Sequence, residues 1–515
     1  MALGDLRAWL GEVDRLGELR RITGASWRGE IGAASEINLR SACPAALLFD
    51  EIPDYPPGYR VLTSSNAAPS RLGLSLRLGG DRSTEELTRV LPERLAEWRQ
   101  RARAFPVEWV TDGPVATCVQ EGAEVDLLKF PAPLWHTGDG GRYLGTSCLV
   151  ITRDPESGWI NGASYRMQVH GPRELGLYIL TGKHGRMHLE QYFARGEPCP
   201  VAVSFGHDPL LAVLAGIEIP FGVSELEYAG AIAGERLQAL RGPVTGLPLP
   251  AHAEIVVEGW VRPGSVRAEG PFGEFHGYFS GTETPQPVLE VERVLHRPEP
   301  IILGAAPGKP PHDYSYWVSV LRSALVMEAL EAAGVPYVRG VWQHEVGGSR
   351  MLLVVSIQQR YAGHARQAGL VASGCRPGAQ VGRYVVVVDD DIDPTDLGEV
   401  MWAVATRSDP ATDIDVIRQT WGSLVDPQFV TYQSADPAGA PFNSRAIIDA
   451  CIPFDHRHHF PAPVTTDPAL VRDVRARWPW LDAPCQPSTG AAGRRRSDEV
   501  APGLGRDQQS QHVDE

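Results

Sequence analysis

The chain has 515 residues, of which 43% are apolar and 22% charged, with a formal net charge of −15. That length supports two to four domains around a substantial core. The acidic balance argues against a general binder of nucleic acid or anionic membrane, while leaving room for a local anion site.

The seven cysteines are scattered without a C-x-x-C pair, which indicates neither a disulfide framework nor a zinc cage. No window approaches 18 uninterrupted apolar residues and the N-terminus carries no long apolar stretch, so a cytoplasmic protein with no membrane partner is expected. No G-x-G-x-x-G follows a strand, and Gly308-Lys309-Pro310-Pro311 is not a Walker A loop. Residues 5–22 place Leu6, Leu10, Val13 and Leu16 at helical spacing behind Asp5, which predicts a capped amphipathic helix. A short buried strand is expected at 46–49, Pro/Gly/Ser-rich loops over 50–80, and a helix over 84–105. Residues 1–110 thus read as a small α/β domain.

From about Val115 the texture changes to short β-rich runs between Gly/Pro turns, at 147–152, 164–170, 177–180, 201–205, 253–260 and 288–296. That rhythm predicts an antiparallel barrel or sandwich over 111–300, with one helical insertion near 208–215. Beyond residue 301 the order returns to α/β: helices at 315–333 and 397–406, and continuous apolar strands at 351–357 and 384–388, as in a buried sheet. The acids of 389–393 follow such a strand, where caps and turns outweigh a metal site. His456, Arg457, His458 and His459 have the wrong spacing for one helix face and read as an exposed or interface segment. The region 301–486 forms the third domain, and 487–515 is too polar to fold.

The chemistry is expected around residues 268–281, AEGPFGEFHGYFSG. Two carboxylates, Glu269 and Glu274, flank a Gly-Pro-Phe-Gly turn and are followed by His276 and Tyr278. Read alone, this is equally a polar surface loop with a salt bridge. A second cluster lies upstream, where Asn161 opens a strand that continues to Arg166; His184 and Glu225 follow. Amide oxygen, imidazole and carboxylate suit Mn²⁺ or Mg²⁺, and three protein ligands leave positions for a phosphate. Each also has a plain alternative: Asn161 as a turn residue, His184 as a loop histidine, Glu225 as a helix N-terminal acid beside Ser224. Arg166 near the two acids would keep one ionised while burial holds the other protonated.

Four blocks in order carry a resemblance to a known family: DLRAWLGEVDRLGELRRI at 5–22, FPAPLWHTGDGGRYLGTSCLVITRDPESGWINGASYRMQVHG at 130–171, EGPFGEFHGY at 269–278 and VVVVDDDIDPTDLGEVMWAVATR at 385–407. Over roughly residues 5–480 the chain resembles the UbiD family of prenylated-FMN-dependent decarboxylases, similar to ferulic/phenylacrylic and aromatic acid decarboxylases. The resemblance implies an N-terminal α/β domain, a central split β-barrel like that of flavin reductases, and a C-terminal α/β domain that dimerises, giving a homodimer or a higher homo-oligomer. It implies prenylated FMN held among Asn161, Ser164, Tyr165, Arg166, Lys183, His184 and Glu225. A Mn²⁺ or Mg²⁺ ion on Asn161, His184 and Glu225 would bridge to the cofactor phosphate, with K⁺ beside it. Glu225 is preferred over Glu227 because it falls four residues before Ala229-Gly230. Arg166, Glu269 and Glu274 match the catalytic network, with Glu274 as proton donor, and a flavin prenyltransferase of UbiX type would supply the cofactor. Lys183 and Phe275 fit an aromatic, heteroaromatic or otherwise conjugated acid as substrate. The competing readings are an FMN-dependent oxidoreductase, a non-catalytic subunit of the same fold and a metal hydrolase.

Overall fold

The computed structural model describes residues 3–217, 219–280, 283–423, 425–428 and 442–482. The tail expected to be unfolded lies outside them. Residues 1–458 pack as one unit. The second unit, from His459 on, contains a helix at Pro468–Arg477 followed by a 3₁₀ turn, Pro479–Asp482. No helix among the described residues is long and apolar enough to cross a membrane.

The opening helix α1 spans Leu6–Arg15, and the Asp5 carboxylate accepts hydrogen bonds from the backbone N–H groups of Arg7 (2.9 Å) and Ala8 (3.2 Å). It stops about two turns short of the predicted end. Gly17 adopts φ +73°, the left-handed conformation that ends helices. The apolar residues beyond it belong to a strand, β1 (Leu19–Thr23). β1 pairs in parallel with β2 (Ala46–Asp50), which pairs antiparallel with β3 (Arg60–Thr63). Helix α2 (Thr84–Arg101) follows, closed at its start by a Ser83/Glu86 capping box.

The centre of the unit is a nine-stranded sheet curled into a half-barrel. Its strands are β4 (Tyr143–Gly145), β5 (Leu149–Arg153), β6 (Ile160–Ala163), β7 (Met167–Gly171), β8 (Glu174–Gly176), β9 (Cys199–Gly206), β10 (Ile255–Glu269) and β11 (Thr284–His296), in spatial order β4-β7-β8-β11-β10-β9-β5-β6. The strand Cys118–Glu121 adds to β11. Alternation explains why β9 is buried throughout. Val201, Val203 and Phe205 join the barrel core with Phe130, Tyr143 and Met167, while Ala202 faces the helical side with Leu91 and Leu321. Helices α3 (His184–Ala194), α4 (Pro209–Ala215) and α5 (Glu225–Ala233) insert between strands. Two predicted strands differ. The run 164–170 becomes a strand only from Met167. Residues 177–180 form none: the N–H of Leu177 bonds the carbonyl of Pro287 and that of Tyr178 the carbonyl of Arg166, outside any ladder. The alternation there was real, since Leu177 and Ile179 are buried, but it packs an irregular segment.

After the barrel the chain returns to the first sheet. β12 (Ile301–Leu303) pairs in parallel with β3 and completes a four-stranded sheet. Helix α6 (Ser315–Ala332) leads to β13 (Val338–Gln343), β14 (Leu352–Ile357), α7 (His364–Gly374), β15 (Tyr384–Asp389), α8 (Leu397–Arg407), β16 (Ile414–Trp421) and β17 (Phe442–Asp449). The sheet order is β13-β14-β15-β17-β16. Its central strands are apolar on both faces because α7 covers one and α8 the other. Within the acidic run, Asp391 takes both terminal nitrogens of Arg407 (2.9 and 2.7 Å) and Asp393 caps Thr395. His456 and His458 are exposed.

Candidate active site

One cavity of about 270 Å³ opens beside the half-barrel. That is several times the roughly 30 Å³ share of a single water, so it is sized for a ligand. Asn161, Ser164, Tyr165, Arg166, Lys183, His184, Glu225 and Glu274 all line it. Glu269 stands behind them, in contact with Arg166, and Glu227 is not part of the wall.

Arg166 sits in the short link between β6 and β7, and Glu269 is the last residue of β10. Arg166 Nε donates to Glu269 Oε1 at 2.7 Å and Nη2 to Oε2 at 2.9 Å, a two-pronged grip. Nη1 donates to Glu274 and Nη2 also to Ser280 Oγ (3.2 Å). The Tyr143 hydroxyl donates to Glu269 Oε1 at 2.8 Å from the barrel core. Glu269 is 1% exposed. The Arg166 guanidinium lies 3.7 Å from the centre of the Tyr178 ring and 4.8 Å from that of Phe272. Burial alone would pull Arg166 towards its neutral form, but the charges and hydrogen bonds of Glu274 and Glu269 outweigh it and hold the guanidinium above its ordinary range. The Glu274 turn is closed by its own backbone: Glu274 N–H donates to Tyr278 O and Gly277 N–H to Glu274 O, each at 2.9 Å.

The second group lines the same cavity. Asn161 lies on β6 and is 1% exposed, with its Nδ2 making no hydrogen bond among the described residues. Glu225 is the first residue of α5. Its Oε2 accepts from Gly162 N–H at 2.7 Å, and a Cβ on residue 162 would stand 2.9 Å from the Leu149 side chain. Burial pushes the Glu225 carboxyl up to about 8, against the pull of the Gly162 hydrogen bond. His184, the first residue of α3, is half-buried, and its imidazole is held below its ordinary range by burial and by the charges of Arg376 and Lys183. A neutral imidazole, an unsatisfied amide and a buried carboxyl without a cation form a donor set that fits a divalent metal and its pKa demands. Among the described residues no three of His, Cys, Asp and Glu converge; here the third donor is an amide.

Several wall residues escaped the sequence reading: Tyr178, Tyr314, Arg350 and Arg376, together with Tyr143 behind the wall. The arginines come from the C-terminal α/β region, far along the chain, and only their charge marks them. His312 escaped too. Its Nε2 donates to Phe275 O (2.8 Å) while Nδ1 accepts from Tyr314 N–H (3.2 Å), which fixes a neutral tautomer under the Glu274 turn. Burial, aided by Arg350, pushes His312 down to about 3, and burial does the same to His207. Both folded values lie below the ordinary 6.5, so their contribution to stability is complete above about pH 6.5 and lost as pH falls. Each costs about 1.4 kcal/mol per pH unit below that point. Between pH 6.5 and 5.5 the two histidines together are therefore expected to remove about 2 kcal/mol, opposed by the raised Glu225 carboxyl, which stabilises the fold as pH falls through the same range; the loss is read from the pH slope of the urea midpoint in wild type against His207→Gln, and equal slopes would contradict the neutral burial of His207.

Comparison with known proteins shows what the whole chain is similar to. Residues 108–310 match the 3-octaprenyl-4-hydroxybenzoate carboxy-lyase Rift-related domain, UbiD, and residues 315–450 match the C-terminal domain of the same carboxy-lyase. The chain is 33% identical to a phenolic acid decarboxylase of Streptomyces over 90% of its length and 95% of that protein's. It is 30% identical to the pyrrole-2-carboxylic acid decarboxylase of Pseudomonas aeruginosa, over 92% and 97%. The fold is similar to that of the UbiD-class enzyme HmfF from Pelotomaculum thermopropionicum solved with FMN, with a TM-score of 0.79, 29% identity and coverage of 92% of this chain and 99% of that one. An evolved dimeric form of that enzyme, solved with prFMN, gives a TM-score of 0.75 at 28% identity, covering 92% and 99%.

Proposed function

The chain belongs to the UbiD family of carboxy-lyases, and we propose that it removes carbon dioxide from an aromatic, heteroaromatic or α,β-unsaturated carboxylic acid with prenylated FMN as cofactor. The observation that carries this reading is Arg166 held between Glu269 and Glu274 on the wall of a cavity that also presents Asn161, His184 and Glu225. The acids acted on by the named relatives, and the FMN and prFMN bound by the solved neighbour, support it.

When bound, prenylated FMN supplies the electron sink that makes loss of a carboxylate from an sp² carbon possible. The protein's share is binding and proton control. Asn161, His184 and Glu225 would hold a Mn²⁺ or Mg²⁺ ion, which would supply the positive charge that keeps the buried Glu225 carboxyl ionised, with K⁺ as a further counterion. Ser164, Tyr165, Lys183 and Arg376 line the cavity with them. In the reaction the carbon–carboxylate bond breaks, its electron pair stays with the carbon, and Glu274 delivers a proton there; bulk water then restores the proton. Arg166 keeps its place throughout because the Glu269 grip is two-pronged, whereas its single contact to Glu274 can yield when that carboxyl carries the proton. Glu269 acts through Arg166. The same reading includes three domains at 1–110, 111–300 and 301–486, a cytoplasmic homodimer or higher homo-oligomer joined through the last, and a flavin prenyltransferase as cofactor supplier.

The test is the absorbance spectrum and mass of the cofactor released from protein co-produced with a flavin prenyltransferase. Prenylated FMN retained with Mn²⁺, and lost with it in His184→Ala and Glu225→Ala, is the expected result. Plain FMN under those conditions favours an oxidoreductase, and a folded protein with no flavin overturns the cofactor assignment.

A further inference from the structure

A second cavity, of about 200 Å³, lies against the other side of the Glu274 turn. It shares no wall residue with the first. The turn is the partition between them. Phe272, Glu274 and Phe275 line the first cavity, while Gly273, Gly277, Tyr278 and Phe279 line the second. The segment after β12 divides in the same way, with Pro307 on the first cavity and Ala306, Gly308 and Lys309 on the second. A group bound in the second cavity therefore bears on the backbone that carries Glu274.

That backbone is tied to the second cavity's other walls. The buried Asp139 carboxylate accepts from Gly273 N–H (3.0 Å) through one oxygen and from His136 N–H (2.8 Å) through the other, and His136 lines the cavity. Gly277 is left-handed at φ +89°, and a Cβ there would stand 2.7 Å from Lys309 Cα, so the Lys309 backbone rests directly on the turn.

The lining selects a class of ligand. Tyr278 and Phe279 are 66% and 45% exposed, large aromatic surfaces beside the apolar Leu39, Ala306 and Pro311. Lys309 is the one Lys or Arg in the wall, and its ammonium makes no hydrogen bond or ion pair among the described residues. Glu36, on the helix Glu30–Leu39, is already paired with Arg40. One free cation beside aromatic rings fits a flat monoanion, and the Glu36 charge on the same wall disfavours a dianion.

We propose that this cavity binds an aromatic monocarboxylate, with the carboxylate on Lys309 and the ring against Phe279 and Tyr278, and that its occupancy slows the reaction in the first cavity. The slowing rests on the decarboxylase reading. Glu274 must yield its contact with Arg166 to deliver its proton, and a ligand packed on Gly273 and Gly277 restrains the turn.

Lys309 is one of three lysines in the chain; Lys183 lines the first cavity, and Lys129 is exposed and lines neither. A ¹³C label at lysine Cε thus gives one NMR signal for each cavity and one control. The probe is 3-phenylpropionate, whose carboxylate sits on an sp³ carbon, added to the prFMN-loaded enzyme. A saturable shift of the Lys309 signal is expected, absent with the neutral 3-phenylpropanamide and about tenfold weaker in affinity in Phe279→Ala. The probe should also lower kcat severalfold for whichever of cinnamate, 4-hydroxybenzoate and pyrrole-2-carboxylate is turned over fastest. Lys309→Gln should turn over as the wild type does without probe and lose the kcat effect, while any rise in KM from competition in the first cavity stays. No Lys309 shift, a shift at Lys183 alone, or equal shifts at Lys309 and Lys129 overturns the site. A saturating Lys309 shift with unchanged kcat overturns the inhibition. Failure to release CO₂ from all three acids counts instead against the decarboxylase reading, since the Lys309 signal is read without turnover.

Discussion

Glu274→Gln is expected to lower CO₂ release by about 10²–10⁴-fold, the usual contribution of a positioned proton donor. The substitution is nearly isosteric. Its amide oxygen still accepts from Arg166 Nη1, and the turn around it is closed by main-chain hydrogen bonds that the side chain does not make. The variant should therefore fold and load cofactor as the wild type does while lacking a transferable proton at that position. Rate per loaded cofactor is the quantity to measure. A native rate in fully loaded Glu274→Gln would remove Glu274 from proton transfer.

Arg166→Leu tests the other half of the network, and its largest effect is on the fold. It strips Glu269 of two hydrogen bonds and its countercharge in a site where that carboxylate is 1% exposed. Breaking a buried ion pair from one side typically costs about 3–5 kcal/mol because a charge is left uncompensated. Tyr143 alone cannot neutralise it. The urea midpoint should fall accordingly, and Arg166→Leu/Glu269→Gln should recover a large part of the loss, while decarboxylation stays abolished in both. Equal midpoints for wild type and Arg166→Leu would mean that the Glu269 grip contributes nothing to stability. The single Glu269→Gln keeps most of the fold but loosens Arg166, so its effect should appear in rate more than in midpoint.

The catalytic candidates were legible because each sits in a locally unusual context. Glu269 and Glu274 flank a turn that neither helix nor strand tolerates, and Asn161 and Arg166 share one short strand-and-link segment. Each polar residue taken singly also had a plain structural alternative, and the four family-like blocks in their order decided between the two. What stayed hidden was whatever depends on contacts between distant segments. Arg350 reaches the cavity from a turn in which Ser349 is left-handed, with φ of +56°, and is held by hydrogen bonds to Ser315 and Ser319 of α6. Tyr143 reads as one more core aromatic until its hydroxyl is seen on Glu269. The overrun of α1 and the missing strand at 177–180 share another cause. Apolar periodicity reports burial, and burial continues past Gly17 and through Leu177 after the hydrogen-bonding pattern has changed.

The return of β12 to β3 also sets a schedule for the growing chain. Ile301 pairs with Arg60, about 240 residues behind it. At a synthesis rate of about 5–20 residues per second, β3 waits roughly 10–50 s for the strand that covers its edge. During that interval a nascent chain displays an open row of backbone donors and acceptors, the kind of edge that pairs with whatever strand arrives first. The first sheet is thus early in sequence and late in completion. Slowing translation before Ile301 should raise the aggregated fraction of newly made protein more than the same delay placed after Leu303.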